Sequence, residues 1–176
     1  MSISWVIFAA GSALIVWLSW AVSIRARRFH GIARFFAFES ILALFLLNVR
    51  VWFHDPWSAL HLLSWALLAG SLVLAIGSIR LYLKLAAPRG QFENSTHLVE
   101  SGIYRFIRHP MYGSLMLLGL GIFLKRVTEL TSALAFVVVL ALCLTALIEE
   151  GEMRARFGEE YTAYRRRTKR LIPFLV

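Results

Sequence analysis

The chain has 176 residues, 59% of them apolar and 16% charged, and a formal net charge of +9. A soluble domain of this length cannot hide that much apolar surface, so lipid has to cover part of it. The charge does not point to nucleic acid, because the basic residues cluster between apolar runs and in the tail with no nucleic-acid motif beside them.

In chain order, the first apolar run covers residues 3–24. It has no basic flank ahead of it and is too long for a signal-peptide core, so it is expected to remain as a membrane span. Arg25, Arg27, Arg28 and Arg34 follow. A second run, 35–53, contains Glu39 and Asn48. An ionisable residue inside a span is a site candidate, but Glu39 lies near the basic boundary, where it can reach water. The third run is 60–85, and a polar loop, "APRGQFENSTHLVESGIYRFIRHP", separates it from the fourth, 111–124. That run reaches only about 21 Å as a helix, short of the roughly 30 Å of hydrocarbon. It reads as a thin or re-entrant helix, paired through the turn "KRVTEL" with the fifth run, 130–148. In the tail, Met153, Phe157, Tyr161 and Tyr164 recur at near-helical spacing, which predicts an interfacial helix that Gly158 weakens or bends.

These elements predict an all-α integral membrane protein with about five transmembrane helices, a short helical hairpin and a C-terminal interfacial helix. One domain, 1–176, is expected, with three spans in 1–85 and the polar loop, hairpin and tail in 86–176. Lysine and arginine are concentrated in the first loop, the loop after the third run and the tail. The other side has only Arg50, Lys125 and Arg126. The positive-inside rule then places the amino terminus outside and the carboxyl terminus in the cytoplasm. The lone Cys143 excludes an intramolecular disulfide and a cysteine zinc site, and His97 with His109 lacks the partners to complete a metal site.

Two stretches carry chemistry. In "RHPMYG", Pro110 suits the first turn of a helix, where its missing N–H is no loss. His109 then sits at the cap, and the amides of Met111, Tyr112 and Gly113 lack intrahelical partners. With Arg105 and Arg108 beside it, such a helix start attracts an anion; the bland reading is a cationic interfacial anchor. In "IEEGEMRARFGEEY", Glu149 projects about 40° from Met153 on the inward side, whereas Glu150 turns about 100° away from Glu149. Glu149 is the expected buried ligand group, and Glu150 the expected solvated boundary charge. Glycines 113, 119 and 121 with Ser114 are read as a small-residue packing face.

At "HLVESGIYRFIRHPMYG" and "EEGEMRARFGEEYTAYRRRTKRLIPF" the sequence resembles the isoprenylcysteine carboxyl methyltransferase and phospholipid methyltransferase superfamily of membrane methyltransferases. The resemblance spans roughly residues 90–174. It implies S-adenosylmethionine as methyl donor, a lipid-like or amphiphilic acceptor, and a donor site at Leu98, Val99, Tyr104, His109, Pro110, Tyr112 and Glu149. The prenylcysteine enzymes place a further histidine where Thr96 stands here, one position before His97, and either residue is a candidate contact. They also carry an arginine one helical turn before the matching glutamate, where this chain has Thr145, which argues against a prenylcysteine carboxylate as acceptor. Arg108 is expected to fix an anionic group and Glu149 a polar or cationic part of the donor. Two rival readings are an NADPH-dependent reductase related to the sterol reductases, which generally have more spans, and a non-catalytic lipid-binding membrane protein.

Overall fold

The computed structural model describes residues 3–24, 29–86 and 97–171. Five helices follow in order: α1 (Ile3–Ser19), α2 (His30–Asn48), α3 (Ala59–Leu85), α4 (Pro110–Phe123) and α5 (Glu129–Arg167). A π-helical turn, Trp20–Ile24, prolongs α1, and short 3₁₀ turns cover Val49–Val51 and Gly102–Arg105. All helices but α4 are long and apolar enough to cross a membrane. The all-helical membrane architecture expected from the apolar runs is the one observed.

One boundary differs from the sequence reading. Helix α2 starts at His30 rather than 35, because the polar residues ahead of the apolar run continue the same helix. Glu39 is therefore nine residues inside α2, about 14 Å from its start. It accepts a hydrogen bond from Ser12 of α1 at 2.7 Å instead of lying at a boundary. Helix α5 runs on past 148 for a further nineteen positions, to Arg167, with a break at Gly158, as the near-helical spacing in the tail predicts.

Large apolar side chains point outward along α1 and α3, as lipid-facing helices require: Trp5, Trp17, Leu72 and Val73 are all more than half exposed. Helix α4 is the inner one. Tyr112, Met116 and Ile122 join Ala37, Ile41 and Leu44 of α2 and Val138, Ala141 and Leu142 of α5 in one core. Its glycines do not form one packing stripe but meet three neighbours. A Cβ at Gly119 would lie 2.8 Å from Val138 Cγ1 of α5, and one at Gly121 would lie 2.9 Å from Leu68 Cγ of α3. At Gly113 the obstacle is the Leu171 carbonyl, 3.1 Å away.

Hydrogen bonds fix how α3 and α4 are aligned. Ser71 Oγ donates to the Ser114 carbonyl at 2.8 Å and Ser64 Oγ to that of Gly121 at 2.6 Å. His61 Nε2 reaches the Lys125 carbonyl at 3.0 Å, and Asn48 Nδ2 donates to Ile122 from α2 at 2.9 Å. Polar side chains bonded to backbone carbonyls suit a medium that offers no water. The pairing brings the end of α4 level with the start of α3. At the other end α3 continues about ten residues, or 15 Å, past the level of Pro110. Helix α4 is thus short because its start is recessed, with no re-entrant turn, and that recess holds the polar residues.

At the hairpin end the Lys125 ammonium sits 3.5 Å from the Trp65 ring centre and 5.7 Å from that of Trp52. Thr128 caps α5 in a reciprocal capping box with Thr131. Both interactions hold the short α4–α5 turn in one geometry.

Candidate functional site

The segment leading into α4 is folded back by Gly102, at φ +59°, where any Cβ would strike Leu81 Cδ2 at 2.6 Å. The turn buries Tyr104, whose hydroxyl donates to the Ser78 carbonyl of α3 at 3.4 Å. Burial pushes its phenol above the usual tyrosine range, so it stays a neutral donor. The Tyr104 carbonyl in turn accepts from the Tyr164 hydroxyl at 2.7 Å.

Tyr164 reaches that position because α5 breaks at Gly158. With φ +56° and ψ −125°, this residue adopts a backbone conformation that side chains strongly disfavour, and the last part of α5 turns back toward the recess. Tyr161 and Tyr164, both 2% exposed, thereby face the site. Beyond the helix the tail becomes a strap. The Arg108 amide donates to the Lys169 carbonyl at 2.8 Å, Lys169 to Phe106 at 2.9 Å, and His109 to Arg170 at 3.0 Å. Ile107 and Lys169 form a parallel bridge.

The strap delivers Arg170 to Glu150, and this corrects the assignment of the two carboxylates. Glu150 is the buried one, with 7% of its side chain exposed against 24% for Glu149. It accepts from Arg108 Nη2 at 2.8 Å and from Arg170 Nε at 3.0 Å, with Arg165 Nε 3.4 Å away. Sequence reasoning missed this hub because Arg170 arrives through the strap, whose pairing is long-range, and Arg165 lies beyond the break at Gly158. The only signal was the arginine-rich tail itself. Arg108 is occupied too: besides Glu150, it donates to the carbonyls of Arg165 and Thr168. Its guanidinium is thus engaged by protein groups, although the residue also lines the pocket.

His109 stands at the N-cap of α4 with Pro110 behind it, as expected. The amide of Gly113, expected to be unpartnered, donates to the His109 carbonyl at 3.0 Å as the first bond of the helix. The His109 ring stacks on Tyr112, centroids 5.6 Å apart and planes at 16°. Its Nδ1 lies 3.6 Å from Glu149 and its Nε2 3.7 Å from Glu150, both beyond hydrogen-bond distance. Among the described residues, His109 Nε2, Glu149 Oε2 and the Tyr161 hydroxyl are buried without a hydrogen-bond partner.

These atoms surround a pocket of about 90 Å³. His97, Leu98, Val99 and Tyr104 form one side of it, with Arg108, His109, Pro110, Tyr112 and Glu149 on the other. Thr96 lies outside the described residues. Sequence reasoning did not anticipate Tyr82 of α3, nor that Tyr161 and Tyr164 would close the pocket. Met111, Tyr112, Glu149 and Met153, with Tyr82, also wall a second cavity of about 350 Å³. That cavity is mostly apolar, with Phe38, Ile79 and Leu115 in its lining, and has His30, Arg34, Glu152 and Arg156 among its polar groups. Thr145 enters neither; it is fully buried and its hydroxyl donates to the Ala141 carbonyl of its own helix.

Fold and site together define an integral membrane protein that holds a small polar pocket against a larger apolar cavity. Residues 59–160, more than half the chain, match the model of the PEMT family, described as phospholipid methyltransferase, and the chain belongs to that family. The family is one of methyltransferases, and its chemistry is methyl transfer to lipid-like acceptors. None of the curated proteins matches the chain.

Proposed function

We propose that the protein transfers a methyl group from S-adenosylmethionine to a lipid-like or amphiphilic acceptor, with the donor in the smaller pocket and the acceptor in the larger cavity. The observation that carries this reading is the shared wall: Tyr82, Met111, Tyr112, Glu149 and Met153 line both spaces. Two reactants held on either side of one wall are already brought within reach of each other, which removes much of the entropic barrier to transfer.

The residues present suit such a donor. A buried carboxylate oxygen without a partner, Glu149 Oε2, favours a cationic group, and the unpartnered His109 Nε2 and Tyr161 hydroxyl offer hydrogen bonds. The donor would supply an electrophilic methyl on a sulfonium, displaced with a neutral thioether as leaving group. Leu98, Val99 and Pro110 supply apolar walls that exclude water. His109 and Tyr112, stacked on each other, present a fixed aromatic face. Arg108 acts by positioning: it holds Glu150, and with it the strap that closes the pocket. We further propose that the recess opens to the cytoplasm, on the basic side of the membrane.

Calorimetric titration of the purified protein with S-adenosylmethionine tests the reading. Glu149→Gln and His109→Ala should each weaken binding about tenfold or more, the scale of a lost charge-assisted contact. Unchanged affinity in both variants would sink the assignment. Binding of NADPH in place of S-adenosylmethionine would select the reductase instead.

A further inference from the structure

Among the described residues, buried polar atoms without a hydrogen-bond partner also occur at the hairpin end, away from the donor pocket, and Asn48 Oδ1 is one of them. Asn48 is the last residue of α2 and is 0% exposed. Its Nδ2 donates to the Ile122 carbonyl, so the amide is held in place and only its acceptor is idle. The residue lines a cavity of about 160 Å³ between the end of α2 and the start of α5, with Leu47, Arg126, Thr128, Leu130 and Thr131 as the other walls. That is small beside the roughly 300–1,000 Å³ of sites that enclose a whole small molecule, so the space suits one polar fragment of a larger one.

The polar walls make two opposite demands. Arg126 is exposed, whereas Lys125 beside it is folded onto Trp65. The first bond of α5 runs from the Ser132 amide to the Thr128 carbonyl at 2.8 Å, which leaves the amides of Glu129 and Leu130 without a helical partner. A guanidinium and a helix start both favour an anion. Glu129, in that first turn, is exposed and is not part of the wall. The Asn48 oxygen requires the reverse, an N–H or O–H donor. A buried water would satisfy that oxygen but would leave the cationic wall without a role. Leu47 and Leu130, 42% and 58% exposed, continue the groove onto the lipid-facing surface. An anionic group, a hydrogen-bond donor close beside it and apolar chains together describe a phospholipid.

We propose that this groove binds the headgroup of a membrane phospholipid in the leaflet opposite the donor recess. The phosphate lies against Arg126 and the start of α5, an N–H or O–H of the headgroup donates to Asn48 Oδ1, and the acyl chains run along Leu47 and Leu130. This lipid is not the methyl acceptor. The fourteen residues of α4 put about 20 Å between the groove and Pro110, so a headgroup held here is out of reach of the donor. Binding acts on the α4–α5 turn, because Asn48 holds Ile122 and Thr131 Oγ1 donates to the Arg126 carbonyl at 2.9 Å. The inference depends neither on methyl transfer nor on which side of the membrane the recess faces.

The experiment uses delipidated full-length protein in a phosphate-free detergent, with phosphatidylethanolamine, phosphatidylcholine, soluble phosphoethanolamine and inorganic phosphate as probes. Native mass spectrometry counts the retained lipid, and thermal unfolding reads its effect on the fold. Phosphatidylethanolamine should be retained and should raise the melting temperature. Phosphatidylcholine, whose quaternary ammonium has no N–H, should bind about tenfold more weakly. Arg126→Gln, an exposed substitution, should weaken phosphatidylethanolamine about tenfold and leave calorimetric binding of S-adenosylmethionine unchanged. Asn48→Leu should abolish the preference between the two lipids, and Arg126→Gln carries the test if that variant does not fold. Equal retention by the wild type and Arg126→Gln would put the bound lipid elsewhere, the acceptor cavity included, and would overturn the inference. A wild type that retains no lipid, or both lipids equally, would overturn it too. Soluble phosphoethanolamine or phosphate acting as strongly as the lipid would make the ligand a soluble anion and overturn the assignment to the membrane.

Discussion

Neutralising Glu150 would leave three guanidinium groups, those of Arg108, Arg165 and Arg170, without their shared carboxylate. Removing one partner from a buried charge cluster commonly costs about 3–5 kcal/mol, because the remaining charges stay desolvated. Glu150→Gln should therefore lower the melting temperature of the detergent-solubilised protein sharply. Glu149→Gln, one residue earlier, should change it little while weakening donor binding, since Glu149 Oε2 has no protein hydrogen bond to lose. Equal melting shifts in the two variants would contradict this division of roles. The sequence carried half of it. Helical projection correctly turned Glu149 toward Met153, and both line the pocket. It also sent Glu150 to solvent, because projection knows only one helix and not the strap that returns to cover its other face.

Gly158 decides where the tail goes, and it acts through its backbone alone. Nothing lies within 4 Å of a Cβ placed there, so the whole cost of a side chain comes from φ +56° and ψ −125°. That cost is about 1–3 kcal/mol. Gly158→Ala should destabilise the protein by that amount and weaken donor binding as Tyr161 and Tyr164 lose their place in the pocket. Gly151 supplies the control: it lies in regular α5 with the same open surroundings, so Gly151→Ala should be neutral or stabilise by up to about 1 kcal/mol. Thermal unfolding with calorimetry of both variants checks the pair, and equal effects would mean that the bend at 158 is not needed. The element boundaries show which signals a sequence holds. Apolar runs located α3 and α4 to within a residue, because lipid demands them. The start of α2 was misplaced, because a helix can continue through polar residues once it leaves the hydrocarbon, whereas the aromatic spacing of the tail did foretell the helix beyond 148 and its bend at Gly158.

For the whole molecule, the recess in α4 and the distribution of charge have to agree on a side. The recessed start of α4 opens where Arg34, Arg105, Arg154 and Arg156 gather, and the strap adds Lys169 and Arg170. The hairpin end offers Arg50, Lys125 and Arg126, and of these Lys125 is folded onto Trp65 and almost fully buried. Its charge is thus masked at the surface, and the imbalance is larger in the folded protein than in the sequence. Under the proposed function a soluble, charged methyl donor made in the cytoplasm needs the recess to face that side, which is also the side the positive-inside rule favours for the basic residues. Single cysteines introduced by Trp57→Cys and Glu159→Cys in a Cys143→Ser background would report it, since both positions are well exposed and lie at opposite ends of the bundle. A membrane-impermeant maleimide applied to intact cells should label the first variant, and should label the second only after the membrane is opened. The reverse pattern would put the pocket outside, away from its proposed donor, and would remove the cytoplasmic assignment together with the access route that depends on it.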